Sequence, residues 1–327
     1  MEFSTFQRMT KETSLLPLGG PQGMVAPLLG LASETGSILN IYKKYLRDGI
    51  DLNANREFLK EELGDLLWYA AAVASACGLD LDEIATDNLE RAKSNYLPKS
   101  AVGTANDLPI FDESYPLVEQ FPRLLVIEFR EYTDGNKPVA QMHLVHVEPN
   151  VFPNGPITND SGKARGFTVG TTLGDPLTDN SRLADAYRYH DAIHFGFMAV
   201  LGWSPNLRSL LRIKRKSNPE TDEVEDGARA IFAEEGLTAI LSRLATRRLG
   251  FVTDASIDTD TIEIAKAAVN ELEVDVMPGY LWKSAIRQGF TAMHALQKNA
   301  GGYLIADLDA RTLTYEKLYS QKSGKGS

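Results

Sequence analysis

GLASETGSI (Gly30–Ile38) and EELGDLLWY (Glu61–Tyr69) carry acidic side chains inside otherwise small or apolar runs. Glu34 is flanked by Leu31, Ala32, Ser33, Thr35 and Gly36, while Glu62 and Asp65 sit within a Leu- and Ala-rich stretch. Positions three and four apart share a helix face, so Glu61 and Glu62 both neighbour Asp65. A short connection makes the two helices antiparallel neighbours. Carboxylates that face one another repel unless a proton or a cation lies between them, and on a near-apolar face an unpaired charge is costly. Neither motif contains a basic residue at helical spacing. Taken singly, each glutamate reads as a solvent-facing residue of an amphipathic helix; taken as a set, they read as a metal site. Oxygen-only ligands select hard cations, Mg²⁺ or Mn²⁺.

Working outward, apolar residues at Leu28, Leu31, Ile38, Ile41, Tyr42 and Tyr45 predict a helix over 27–45, stopped at Asp48-Gly49. Phe58, Leu59, Leu63, Leu66, Leu67, Tyr69 and Ala70 predict a second over 55–76, closed by Gly78. Asp80 or Asp82 caps a third through Ala92. The proline-interrupted stretch 98–122 reads as a linker between an N-terminal helical domain, 1–97, and a C-terminal domain, 123–327. The latter opens with strands over 123–132 and 139–147 around Asp134-Gly135-Asn136, a hairpin signal. A short strand is expected near 166–171. Helices are expected near 182–201, 206–215, 226–247, 259–272 and 280–299. The fold class is therefore mainly α: a helical bundle, then a β-hairpin with a second helical bundle. Residues 61–84 and 286–309 share a helix, a glycine-marked break and an Asp-rich restart; either a decayed duplication or two unrelated amphipathic helices would produce this.

The chain has 327 residues and a formal charge of −10, which argues against a general nucleic-acid binder. No window approaches a membrane span. Its lone cysteine, Cys77, excludes an internal disulfide and fits a reducing cytoplasm.

The motif pair resembles the MazG-like all-α nucleotide pyrophosphohydrolases, which carry E-x-x-E on one helix and E-x-x-D on the next. GLASETGSI looks like the first motif, EELGDLLWY like the second, and GLDLDEIATDNLERAKSNY (Gly78–Tyr96) is similar to the family's third segment. The remainder looks like a MazG-type C-terminal extension. The resemblance implies Glu34, Glu62 and Asp65 as metal ligands for Mg²⁺ or Mn²⁺, with Asn88 and Arg91 at phosphate-holding positions. It implies hydrolysis of a nucleoside triphosphate to monophosphate and pyrophosphate, in nucleotide-pool control or defence-type nucleotide depletion. Glu61 is the candidate to orient or deprotonate the water. The sequence departs from the family at Ser37, where the first motif's second acid is missing.

Lys43, Lys44 and Arg47 are candidates for the outer phosphates, or else a basic last turn complementing the helix dipole. Trp68 is a candidate stacking platform, or else core. MazG-like units usually pair, so a homodimer or an in-chain partner is expected. Two alternatives stand beside this reading. One is a nucleotide-binding sensor weakened by Ser37. The other is a metal phosphohydrolase site in the C-terminal half, at His190, Asp191 and His194 in YRYHDAIHFGF (Tyr187–Phe197), with Glu234 and Glu235 facing them. A buried hydrogen-bonded role is the plainer reading of those histidines. His143 and His146, three apart on a strand, are expected on opposite faces, and the basic run Arg208–Lys216 as a solvated helix end.

Overall fold

The computed structural model describes residues 1–15, 23–96, 108–158, 162–182 and 184–320, in two compact units, 1–93 and 94–327. No helix among the described residues is long and apolar enough to cross a membrane.

The N-terminal unit is helical. α1 (Phe3–Thr13) precedes the two motif helices, α2 (Val25–Asp48) and α3 (Arg56–Cys77), and α4 (Leu81–Tyr96) follows. α2 and α3 pack along each other, and α1 lies against α3. Sequence periodicity did not single out α1. Its Gln7 nonetheless ties the unit together, donating to Leu79 O (2.8 Å) and accepting from the Leu81 N–H (2.9 Å). Of the two capping candidates, Asp80 is the one used, accepting from the N–H groups of Asp82 and Glu83. The core here is thin: Ala71, Ala74 and Leu81, with Phe6 against them. Much of the apolar stripe on α2 stays exposed, including Leu28, Leu39, Tyr42, Tyr45 and Leu46.

The C-terminal unit is a five-stranded antiparallel sheet backed by helices. β1 (Leu124–Asp134) and β2 (Lys137–Glu148) form the expected hairpin. β3 (Ile157–Thr158) and β4 (Ala164–Arg165) make a small separate pair. β5 (Thr172–Leu177) follows, so strands flank 166–171 rather than occupy it. The helices are α5 (Asp191–Leu201), α6 (Pro205–Leu211), α7 (Pro219–Val224), α8 (Ala228–Ala245), α9 (Thr259–Ala268) and α10 (Gly279–Asn299). β6 (Gly301–Asp307) and β7 (Thr312–Glu316) complete the order β5-β2-β1-β6-β7.

The expected second bundle is thus an α/β layer, because β6 returns to pair with β1 across most of the unit. The internal echo ends there: after Gly78 the chain restarts a helix, after Ala300 a strand. The sheet's inner face, with Leu125, Ile127, Phe129, Met142, Leu144, Leu304 and Leu313, joins the core around α5 and α10. Those two helices cross at Gly196 and Gly289, where a Cβ on Gly196 would stand 2.8 Å from Ala285 O. Every residue of α5 is buried, so its near-continuous apolar run is that of a central helix.

Four further expectations change. Residues 108–122 pack into this unit instead of bridging to it; Phe121, Asp112 and Glu119 are buried, and 97–107 lie outside the described residues. The helix expected from 182 begins at Asp191, after a 3₁₀ turn at Tyr187–Tyr189 entered through a left-handed Ala186; Leu183 lies outside the described residues. A β-bulge pairs Val126 with His146 but Ile127 with Leu144, so Val145 is the extra residue. The bulge brings His143 and His146 to the same sheet face. Arg208 and Arg215 are buried rather than solvated. Arg208 bonds Asp112 Oδ2 and Glu119 O, and Arg215 bonds Asp226 and Glu273. Their partners come from segments that sequence spacing cannot reveal.

Candidate metal centre

The structure brings Glu34 of α2 together with Glu62 and Asp65 of α3. One carboxylate oxygen from each lies within 4.8 Å of the others. The i,i+3 spacing sets Glu62 and Asp65 on one face, and the packing of α2 on α3 turns Glu34 towards them. Glu62 is buried, Glu34 is half-buried and Asp65 is exposed, so the cluster opens to solvent on the Asp65 side. Contact with the Glu34 carboxyl raises the Glu62 carboxyl above the ordinary range; burial and the charges of Asp65 and Glu61 add to this. Oε2 of Glu62 is buried with no hydrogen-bond partner among the described residues. A buried oxygen without a donor is costly, and a divalent cation at this point would satisfy it. The donor set, oxygen only and anionic, suits Mg²⁺ or Mn²⁺.

The other candidates fall differently. Glu61 is exposed on α3, next to the cluster in sequence. Arg47 is taken by its neighbour Asp48, through Nε at 2.7 Å and Nη2 at 2.6 Å. Lys43 and Lys44 are exposed. They lie about 13–15 Å beyond Glu34 along the helix axis at ~1.5 Å per residue. Trp68 is half-buried, donates from Nε1 to Thr13 Oγ1 at 3.0 Å and meets Tyr69 edge-on, so its polar end serves the α1–α3 contact. Asn88 and Arg91 are exposed on α4. Ser37, on the α2 turn after Glu34, is half-buried.

In the C-terminal unit, one ligand atom from each of His190, Asp191 and His194 lies within 4.8 Å of the others, all three residues buried. Glu234 and Glu235 of α8 face them. His294, alone on its helix in the sequence, bonds Gly250 O at 3.0 Å.

A family model described as the MazG C-terminal domain matches residues 155–319. The Gene 37 protein of Mycobacterium phage L5 is 33% identical over 100 residues, covering 29% of this chain and 88% of that protein. No solved structure matches. With a MazG C-terminal domain spanning half its length and those motif helices ahead of it, the chain belongs to the MazG family.

Proposed function

We propose that the chain is a Mg²⁺-dependent nucleoside triphosphate pyrophosphohydrolase acting in the cytoplasm. The observation that carries this reading is the meeting of Glu34, Glu62 and Asp65 around a buried, partnerless Glu62 oxygen. Membership of a family whose members are generally nucleotide pyrophosphohydrolases supports it at the level of reaction class. When bound, the divalent ion supplies charge neutralisation at the phosphates and Lewis-acid activation of water. Glu34, Glu62 and Asp65 hold it. Glu61, exposed beside them, orients or deprotonates the attacking water. Asn88, Arg91, Lys43 and Lys44 are assigned to the phosphates, whereas Arg47 is engaged with Asp48. The exposed leucines and tyrosines of α2 are assigned to a homodimer.

The test is pyrophosphate release from a panel of nucleoside triphosphates with Mg²⁺ or Mn²⁺. Turnover should fall by more than about 100-fold in Glu62→Ala and Asp65→Ala, since removing a ligand costs more than disturbing its support. Retained turnover in either variant would refute the site. Metal-dependent nucleotide binding without any pyrophosphate release would mark a sensor, with Ser37 as the reason.

A further inference from the structure

The rings of His190 and His194 each have one well-bonded nitrogen and one that is not. His190 Nδ1 lies 2.8 Å from Tyr187 O, and its ring stacks on Tyr187 at a centroid distance of 4.3 Å. His194 Nδ1 lies 2.8 Å from Glu234 Oε1. Glu234 is itself held by the Ser204 hydroxyl at 2.6 Å and the Asn206 N–H at 2.8 Å. Both Nδ1 atoms are therefore fixed, one by a carbonyl and one by a fully bonded carboxylate. That support orients metal-ligating histidines and leaves Nε2 to the ion.

On the Nε2 side the distances lengthen. His190 Nε2 stands 3.7 Å from Asp191 Oδ1 and 3.7 Å from Glu235 Oε2. His194 Nε2 stands 3.5 Å from Glu235 Oε1, with Asn206 Nδ2 at 3.3 Å. Most of these separations exceed hydrogen-bond length. They approach the ~3.4 Å between ligand atoms that share one ion at about 2.1 Å each. The Asp191 side chain is only 6% exposed and the His190 side chain 8%. Among the described residues, neither the Asp191 carboxylate nor His190 Nε2 makes a hydrogen bond. The Asp191 carboxylate and His190 Nε2, on side chains more than nine-tenths buried, thus face one spot without a hydrogen bond to it among the described residues. Glu235, 39% exposed and bonded by Asn206, closes the side that opens to solvent.

We propose that this pocket binds a divalent transition-metal ion of the zinc or iron(II) class, through Nε2 of His190, Nε2 of His194 and the Asp191 carboxylate. Two imidazoles and one carboxylate favour such an ion over Mg²⁺. Three protein ligands leave a coordination position open towards Glu235. The site is separate in kind from the oxygen-only cluster of the N-terminal unit and takes a different metal.

The full chain would be stripped with chelator and dialysed against Zn²⁺, or anaerobically against Fe²⁺, with excess Mg²⁺ present. Retained metal is then measured by mass spectrometry. About one equivalent should remain per chain. Asp191→Asn and His190→Gln should weaken binding at least ~100-fold, while Glu62→Gln leaves it unchanged. His194→Ala strands the buried Glu234 and is open to misfolding; the two near-isosteric variants avoid that, and a thermal melt in chelator checks their fold. No stoichiometric Zn²⁺ or Fe²⁺, retention unchanged in both variants, or retention that vanishes with Glu62→Gln would each overturn the proposal.

Discussion

The buried arginines of the C-terminal unit and the buried glutamate of the N-terminal unit are accommodated in opposite ways. In the C-terminal unit, Arg208 and Arg215 are almost wholly buried, and each is matched by carboxylates, carbonyls and an aromatic face, Phe121 at 4.0 Å and Tyr115 at 5.3 Å. In the N-terminal unit, Glu62 is buried among other carboxylates with one oxygen unmatched. Removing one partner of a matched buried pair is costly; an unmatched carboxylate among its own kind calls for a proton or a cation. The cores differ in the same sense. The sheet-and-helix unit encloses Trp203, Trp282, Phe195 and Phe197, whereas α2 leaves Leu28, Leu39 and Leu46 in solvent.

The contrast breaks most sharply at Arg215. Arg215→Met should destabilise the C-terminal unit by about 3–5 kcal/mol, because it removes the guanidinium that Asp226 and Glu273 share and leaves Asp226 only the residue-215 N–H and Arg208 at 3.7 Å. Chemical denaturation followed by near-ultraviolet circular dichroism reads this, and a loss below ~1 kcal/mol would mean the network is not what holds that unit.

An intermediate effect is expected on α2. If α2 carries the proposed homodimer face, Leu39→Glu with Leu46→Glu should turn the dimer into a monomer in sedimentation, with helix content kept, since both residues are already exposed. A wild-type chain that sediments as a monomer would remove the homodimer from the account. A smaller effect belongs to Asp80. Asp80→Ala removes the cap of α4 and should cost ~1 kcal/mol, visible as a modest drop in the melting temperature of the N-terminal unit.

The difference between the units also decided how much was legible in sequence. α2 and α3 were readable to within a few residues because their signals are local: apolar period, the Gly78 stop, acids at i and i+3. The β1–β2 hairpin was announced by Asp134-Gly135-Asn136. β6 and β7 were not recognised, although Leu304, Ala306 and Leu308 alternate, because their partner β1 lies some 175 residues away. Arg208 and Arg215 looked solvated for a related reason, Asp112 and Glu273 being on distant segments and Asp226 lying beyond the next helix. The candidate ligands Glu34, Glu62 and Asp65 stood out as acids on apolar helices. The support of His194 by Glu234 and Ser204 needed three dimensions. The pairing of Arg47 with Asp48 was not legible, because Asp48 reads as a turn residue.

The Glu34 carboxyl beside it, with burial, holds the Glu62 carboxyl above the ordinary range. A carboxyl whose folded pKa lies above its unfolded value favours folding at low pH and loses that contribution as pH rises through the folded pKa. Without metal, the N-terminal unit should therefore gain stability on mild acidification from neutral pH. At the proposed site a divalent cation would displace the Glu62 proton, so its affinity should fall with pH by up to about tenfold per unit below that pKa. Affinity that does not fall as the pH is lowered into the carboxylate range would contradict this.

The most direct test of the central claim is Mn²⁺ binding to the intact chain at neutral pH, followed by electron paramagnetic resonance, in wild type and Glu62→Gln. A saturable Mn²⁺ population present in wild type and lost in a folded Glu62→Gln protein is the predicted result. Equal Mn²⁺ binding in the two proteins would contradict the assignment of Glu34, Glu62 and Asp65 as a metal centre.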